Sequence, residues 1–120
     1  MIPAHLDAFW STPRLATLGT VRADGTPHLV PVKAMRAGGE LLVLTRPETV
    51  KARNVRRTGR ASIAEHTATL WATVEGPARV CADEATLATA RAAYLERFGR
   101  PDTWGTCVVV LRPDRVLHGT

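Results

Sequence analysis

Apolar residues recur along this chain with two periods, and each change of period marks a new element. Ile2, Leu6, Phe9 and Trp10 fall on one helical face, so Ile2 to Trp10 predicts a short amphipathic helix closed by Ser11-Thr12-Pro13. From Leu15 to Arg22 the pattern turns β-like, and Ala23-Asp24-Gly25-Thr26 carries the Asp-Gly pair typical of a hairpin. Pro27 to Met35 reads as the return strand, in which Pro31 demands an edge position or a bulge. Gly38-Gly39 makes the next turn, and Glu40 to Thr45 is a third strand.

A second helix is predicted over about Pro47 to Thr58, with proline in the first turn and Gly59 as the stop. Arg60 to His66 is a fourth strand, and Thr69 to Val80 a longer fifth, with a bulge or bend at Gly76-Pro77. Asp83 to Phe98 is the clearest helix. Its stripe is Leu87, Ala90, Tyr94 and Phe98, Asp83 is placed to cap it, and Gly99 followed by Pro101 ends it. Thr106 to Arg112 is a sixth strand built on a continuous Val-Val-Val-Leu run, and Arg115 to His118 extends it past the Pro113-Asp114 turn.

Successive hairpins with one intervening and one late helix predict an α+β protein, mostly antiparallel β: a closed or half-closed six-stranded barrel. The first three strands are joined by turns too short for parallel crossovers, and G-x-G-x-x-G is absent, so a Rossmann sheet is disfavoured. With 120 residues and no linker, repeat or low-complexity run, the expectation is a single domain spanning 1–120.

Charge adds a position to this outline. The net charge is +5, the isoelectric point is near 10.2, and fourteen of sixteen basic residues are Arg. Between Lys33 and Arg60 stand eight Lys or Arg against two Glu, so the rest of the chain is nearly neutral. Lys51 and Asn54, three residues apart, project from one helical face. Thr45 and Arg46 stand just before that helix, where unpaired N–H groups and the dipole favour an anion. A phosphate site is the sharper reading of this basic run, and a solvated basic face the plainer one.

Other chemistry is thin. Cys81 and Cys107 lie in apolar stretches without a CxxC spacing, and His5, His28, His66 and His118 are scattered, so no metal site is expected. No catalytic acid or nucleophile–base set is assignable. Neither a signal peptide nor a bilayer-length apolar run is visible, which predicts a soluble, cytoplasmic protein without membrane partners. Nucleic acid is disfavoured as a partner, because aromatics are not interleaved with the basic run.

The order of elements and motifs resembles the FMN-binding split-barrel superfamily, which groups pyridoxamine 5'-phosphate oxidase-like proteins with coenzyme F420-dependent reductases. Ala16-Thr17-Leu18 with Asp24-Gly25-Thr26-Pro27-His28 resembles its opening hairpin, and Pro31-Val32 its cofactor-side strand. Thr45 with Lys51-Ala52-Arg53-Asn54 resembles its phosphate-binding turn and helix. Val74-Glu75-Gly76-Pro77-Ala78 and Arg112-Pro113-Asp114-Arg115-Val116 resemble later strands. The compact Lys-Ala-Arg-Asn helix is most similar to the B group of flavin/deazaflavin oxidoreductases, and within it to biliverdin-reductase-like members.

That resemblance implies a six-stranded split barrel with two or three peripheral helices, forming homodimers that share a cofactor groove. It implies coenzyme F420, with FMN as the alternative, and hydride transfer to an unsaturated, quinone-like or tetrapyrrole small-molecule acceptor. A non-enzymatic flavin or haem binder is the remaining alternative. Lys51, Asn54, Thr45 and Arg46 would hold the cofactor phosphate, and backbone around Pro31 and Val32 would flank the ring. Arg53, Arg56, Arg57 and Arg60 would meet the carboxylates of an F420 tail, unless they decorate a solvent face. Many relatives place an aromatic soon after the Pro-Val pair, where this chain has Lys33, Ala34 and Met35. Lys33 either makes the substrate side more cationic or points outward. Trp71 and Trp104 are candidates for a planar substrate pocket or for core and dimer contact.

Overall fold

A computed structural model describes residues 2–120. Eight antiparallel strands run in the order β2-β1-β5-β6-β7-β4-β3, with β8 paired to β6 off that path. They are β1 (Ala16–Val21), β2 (Pro27–Val32), β3 (Ala34–Ala37), β4 (Glu40–Thr45), β5 (Arg60–His66), β6 (Trp71–Cys81), β7 (Cys107–Leu111) and β8 (Arg115–Gly119). Helix α1 (Val50–Thr58) follows β4, and α2 (Glu84–Phe98) follows β6.

The strand order alone forces the sheet to curl. Strands β2 and β3 lie at opposite ends of the path yet are separated in the chain only by Lys33. The two edges must therefore approach one another at Lys33, and the sheet becomes a half-closed barrel with its split there. The predicted strand Pro27 to Met35 is thus two strands. Pro31 lies on β2, which pairs only with β1, so its missing N–H is tolerated at an edge.

Two kinds of strand appear, for one reason. In β1, β5 and β6 burial alternates, with Ala16, Leu18, Ile63, Ala72 and Val74 turned into the barrel. In β7 all five residues are buried, and in β4 Leu41 to Thr45 are, because α2 covers the second face. Leu41, Val43, Val109 and Leu111 fill the barrel, while Leu42, Leu44, Val108 and Val110 pack against Ala90 and Tyr94 of α2. The unbroken Val-Val-Val-Leu run reflects that double burial.

Both α-helices are capped by side chains. Thr49 accepts the Ala52 N–H and Asp83 the Thr86 N–H, and Gly59 and Gly99 end the helices with φ of 69° and 75°. Pro47 therefore lies in the turn before α1, not in its first turn. The predicted N-terminal helix is a 3-10 segment (Ala4–Trp10), with Leu6 N–H bonded to the Pro3 carbonyl, that packs Leu6, Phe9 and Trp10 into the core. Seven residues are too few for a stable α-helix, and the apolar contacts set the geometry instead.

Two expectations near the C-terminus are corrected. Arg115 to His118 does not extend β7 but joins β8, pairing with Trp71 to Glu75 of β6, while Ala78 to Cys81 pairs with β7. Gly76-Pro77 marks that change of partner rather than a bulge, since the β5–β6 register runs through it unbroken. A Cβ at Gly76 would stand 1.9 Å from the Arg112 carbonyl oxygen, so only glycine fits where the link passes. Among the described residues no helix is long and apolar enough to cross a membrane.

Candidate functional site

The split opens as a cleft of about 240 Å³ lined by Pro31, Val32, Lys33, Val43, Leu44, Lys51, Tyr94, Asp102 and Trp104. Five elements bring these together, with Val43 and Leu44 on β4 and Tyr94 on α2. Strand β2 ends with Pro31-Val32 and delivers Lys33 at the seam, α1 presents Lys51 from its first turn, and the α2–β7 loop carries Asp102 and Trp104. Val32, Val43 and Leu44 are buried and give the cleft an apolar floor. Trp104 is 47% exposed, so a large aromatic ring stands free at the rim.

Both lysines are half-buried, and among the described residues neither has a carboxylate within ion-pair distance. Burial holds the Lys51 ammonium below its ordinary range, with the Cys107 thiol pulling slightly the other way. Lys33 Nζ donates to the Tyr94 hydroxyl at 3.2 Å and lies 5.7 Å from the centroids of both Tyr94 and Phe98. The expectation that Lys33 either faces the site or points outward is decided in favour of the site. Trp104 is positioned by Arg46, whose Nε donates to its carbonyl at 2.8 Å and whose guanidinium lies 5.1 Å from its ring centroid. Asp102 accepts the Gly105 N–H at 2.8 Å, which shapes the loop.

The sequence-predicted residues divide sharply. Lys51, Pro31 and Val32 line the cleft, and Arg46 holds its rim. Thr45 is fully buried with its hydroxyl 3.1 Å from that of Thr49, so it supports the turn into α1. Asn54 is buried against β1 and does not line the cleft, donating to the Thr20 hydroxyl at 3.0 Å and accepting from Arg57 at 3.1 Å. Three residues along a helix leave two side chains about 60° apart, which lets Lys51 stand at the cleft while Asn54 reaches Thr20 of β1. Lys51 and Asn54 therefore serve different neighbours.

The arginines have mostly internal partners. Arg57 reaches the Val21 carbonyl, Arg56 the Pro47 carbonyl at 2.6 Å, and Arg60 holds Asp114 bidentately at 3.1 and 3.2 Å. The Arg53 side chain is exposed with no hydrogen-bond partner among the described residues. Trp71 is on β6 beside Gly119, away from the cleft.

Sequence reasoning missed a second polar centre behind the cleft. Glu65, fully buried, accepts from Arg97 Nη2 at 2.7 Å and Nη1 at 3.0 Å, with Arg14 3.7 Å away. Arg97 also donates to the carbonyls of Thr12 and Ala34. Burial pushes the Glu65 carboxyl up, and Arg97 followed by Arg14 pulls it back. The signal was present: Glu65 occupies an inward position in the alternation Ala61, Ile63, Glu65. His28 is half-buried with Nδ1 unpartnered, and burial, then Arg22 and Lys51, push its pKa down.

Residues 2–118 match the pyridoxamine 5'-phosphate oxidase family, and the chain belongs to it. It is 33% identical over 113 residues to the F420H(2)-dependent biliverdin reductase of Mycobacterium tuberculosis, covering 92% of this chain and 82% of that protein. Among solved structures, a conserved hypothetical protein of Mycobacterium tuberculosis superposes with a TM-score of 0.86 at 24% identity, covering 99% of this chain and 84% of its own. A structure described as an F420 reductase matches with a TM-score of 0.78 at 20% identity, covering 97% and 98%. These two solved structures share the fold of this chain.

Proposed function

We propose that the cleft at the barrel split binds a phosphate-bearing redox cofactor, and that the protein is an oxidoreductase reducing an unsaturated, quinone-like or tetrapyrrole acceptor. The observation that carries this reading is Lys51: an ammonium partly removed from water, beside the start of a helix, with no carboxylate to compensate it. Keeping such a charge costs stability unless a ligand anion completes it. The N–H groups of the first turn of α1 add donors on the same side, where the helix dipole also favours an anion.

The residues fit coenzyme F420 or FMN, since both carry a phosphate and a flat ring. When bound in reduced form, F420 supplies a hydride, which together with one proton from solvent reduces the acceptor by two electrons. Lys51 would hold the phosphate, while Pro31 and Val32 present extended backbone and an apolar edge to the ring. Trp104 closes one side of the cleft, and Arg46 fixes its orientation. Asn54 acts indirectly, pinning α1 to β1 so that Lys51 stays at the opening.

Two considerations weigh on the choice of cofactor. The surplus of arginines suits a polyanionic tail, but Arg56, Arg57 and Arg60 are held by the protein itself, which leaves Arg53 for that role. The preference for F420 therefore rests mainly on the F420H(2)-dependent relative, and FMN stays as the alternative that the family suggests. A homodimer with the cofactor between subunits is part of the proposal. Exposed Val21 and Leu29 beside Pro27 border a groove of about 550 Å³ on the outer face of β1 and β2, an apolar surface suited to a second copy. Parallel fluorescence titrations with F420 and FMN test the cofactor assignment: saturable binding of either supports it, and binding of neither removes it. Light scattering tests the dimer, and a monodisperse monomer contradicts it.

A further inference from the structure

Lys33 is a second cation in the same cleft, and the cofactor phosphate does not explain it. The two lysines come from different walls, Lys51 from α1 and Lys33 from the seam between β2 and β3. An ammonium has three N–H donors. Among the described residues Nζ of Lys33 has one hydrogen-bond partner, the Tyr94 hydroxyl at 3.2 Å. The faces of Tyr94 and Phe98, both 5.7 Å away at their centroids, fix its direction without consuming a donor. Two N–H groups therefore remain uncommitted on a half-buried ammonium at a cleft with an apolar floor. The one acidic lining residue, Asp102, is already turned to the Gly105 N–H at 2.8 Å and makes no ion pair with Lys33.

We infer that Lys33 is a specificity-determining residue: it selects planar acceptors that carry a carboxylate, by pairing that carboxylate across the cleft from the exposed ring of Trp104. This rests on the cofactor reading above, in which Lys51 is occupied by the phosphate and Lys33 is left for the acceptor. A carboxylate supplies the two acceptor oxygens that the uncommitted donors require, and the half-exposed Trp104 indole, braced by Arg46, supplies an apolar platform for a flat ring. A purely structural Lys33, committed to Tyr94, would give a bound carboxylate no direct hydrogen bond, so replacing the acid by its ester would change affinity little.

The test compares 2-naphthoate with its methyl ester as probes, by ligand-observed NMR on the F420-loaded protein. Wild type is expected to bind the acid about tenfold or more tightly than the ester. Lys33→Met should abolish that preference while Lys33→Arg retains it. Equal affinity for acid and ester in wild type, or a preference that survives in Lys33→Met, overturns the inference. In unsubstituted protein, the Lys33 Hε and Cε resonances should shift with the acid and not with the ester; resonances that ignore the acid overturn it without recourse to any variant. A protein that binds neither F420 nor FMN yet still prefers the acid, through Lys33, refutes the cofactor reading and leaves standing only the pairing of Lys33 with a carboxylate.

Discussion

Arg97 and Lys51 are both cations drawn out of water by the same barrel, yet their surroundings could hardly differ more. Arg97 is met by both oxygens of Glu65 and by the carbonyls of Thr12 and Ala34, so its guanidinium is surrounded by acceptors. That knot ties α2 to β5, to β3 and to the segment after the N-terminal 3-10 turn. Lys51 is less deeply placed but has no such acceptors among the described residues, and burial depresses its pKa. A buried cation with its acceptors supplied from within is part of the fold. One held partly dry without them is what we propose as a ligand site, and the distinction rests on partners rather than on charge.

Breaking the complete centre should produce the largest effect. Arg97→Met with Glu65 retained strands a carboxylate in the core, for an expected loss of about 3–5 kcal/mol in urea unfolding. The double replacement Glu65→Leu and Arg97→Met should recover much of it, and a double mutant no more stable than Arg97→Met would show that the ion pair is not the cause. Asn54→Ala comes next, because it leaves Arg57 and the buried Thr20 hydroxyl short of a partner. About 1–3 kcal/mol is expected, again by urea unfolding.

At the incomplete centre the sign of the stability change reverses. Lys51→Met removes a charge that burial penalises, so the thermal midpoint should stay level or rise, while F420 affinity falls about 10- to 100-fold by fluorescence titration. Histidine sharpens the contrast further. The folded pKa of His28 is pushed below the ordinary 6.5, so the unfolded chain binds more protons in the window below that value. Stability should decline as pH falls through it, and His28→Gln should flatten that part of the profile. The smallest change is Arg53→Ala, expected within about 0.5 kcal/mol in stability because its side chain is exposed. It should weaken F420 with a long glutamate tail slightly, and leave binding of the tail-free cofactor unchanged.

Much of the fold was legible from period and punctuation. The alternating strands β1, β5 and β6, the apolar stripe of α2 and the glycines that end both helices all appear where the pattern places them. The continuous run in β7 predicted a buried strand, which is what two-sided cover by the barrel and α2 produces. Lys33 was not legible as a break, because no local pattern shows that the strands on either side of it belong to opposite sheet edges. That is a property of the strand order, and so is the pairing of β8 with β6. Within the candidate site, Lys51, Pro31 and Val32 were found by sequence and share the cleft. Asn54 was grouped with Lys51 by spacing, but spacing does not say which side of α1 faces β1. The basic run was visible as charge, whereas its division between Arg60 paired to Asp114, Arg57 held by a carbonyl and Arg53 exposed depends on contacts distant in the chain.

The central claim is that Lys51, at the split of the barrel, holds the phosphate of a redox cofactor. Titration of F420 into wild type and Lys51→Met, with thermal unfolding of both proteins alongside, tests it most directly. Saturable binding by wild type, weakened at least about tenfold in the variant with an equal or higher midpoint, is the predicted result. Equal affinity of the two proteins, both folded, would contradict it.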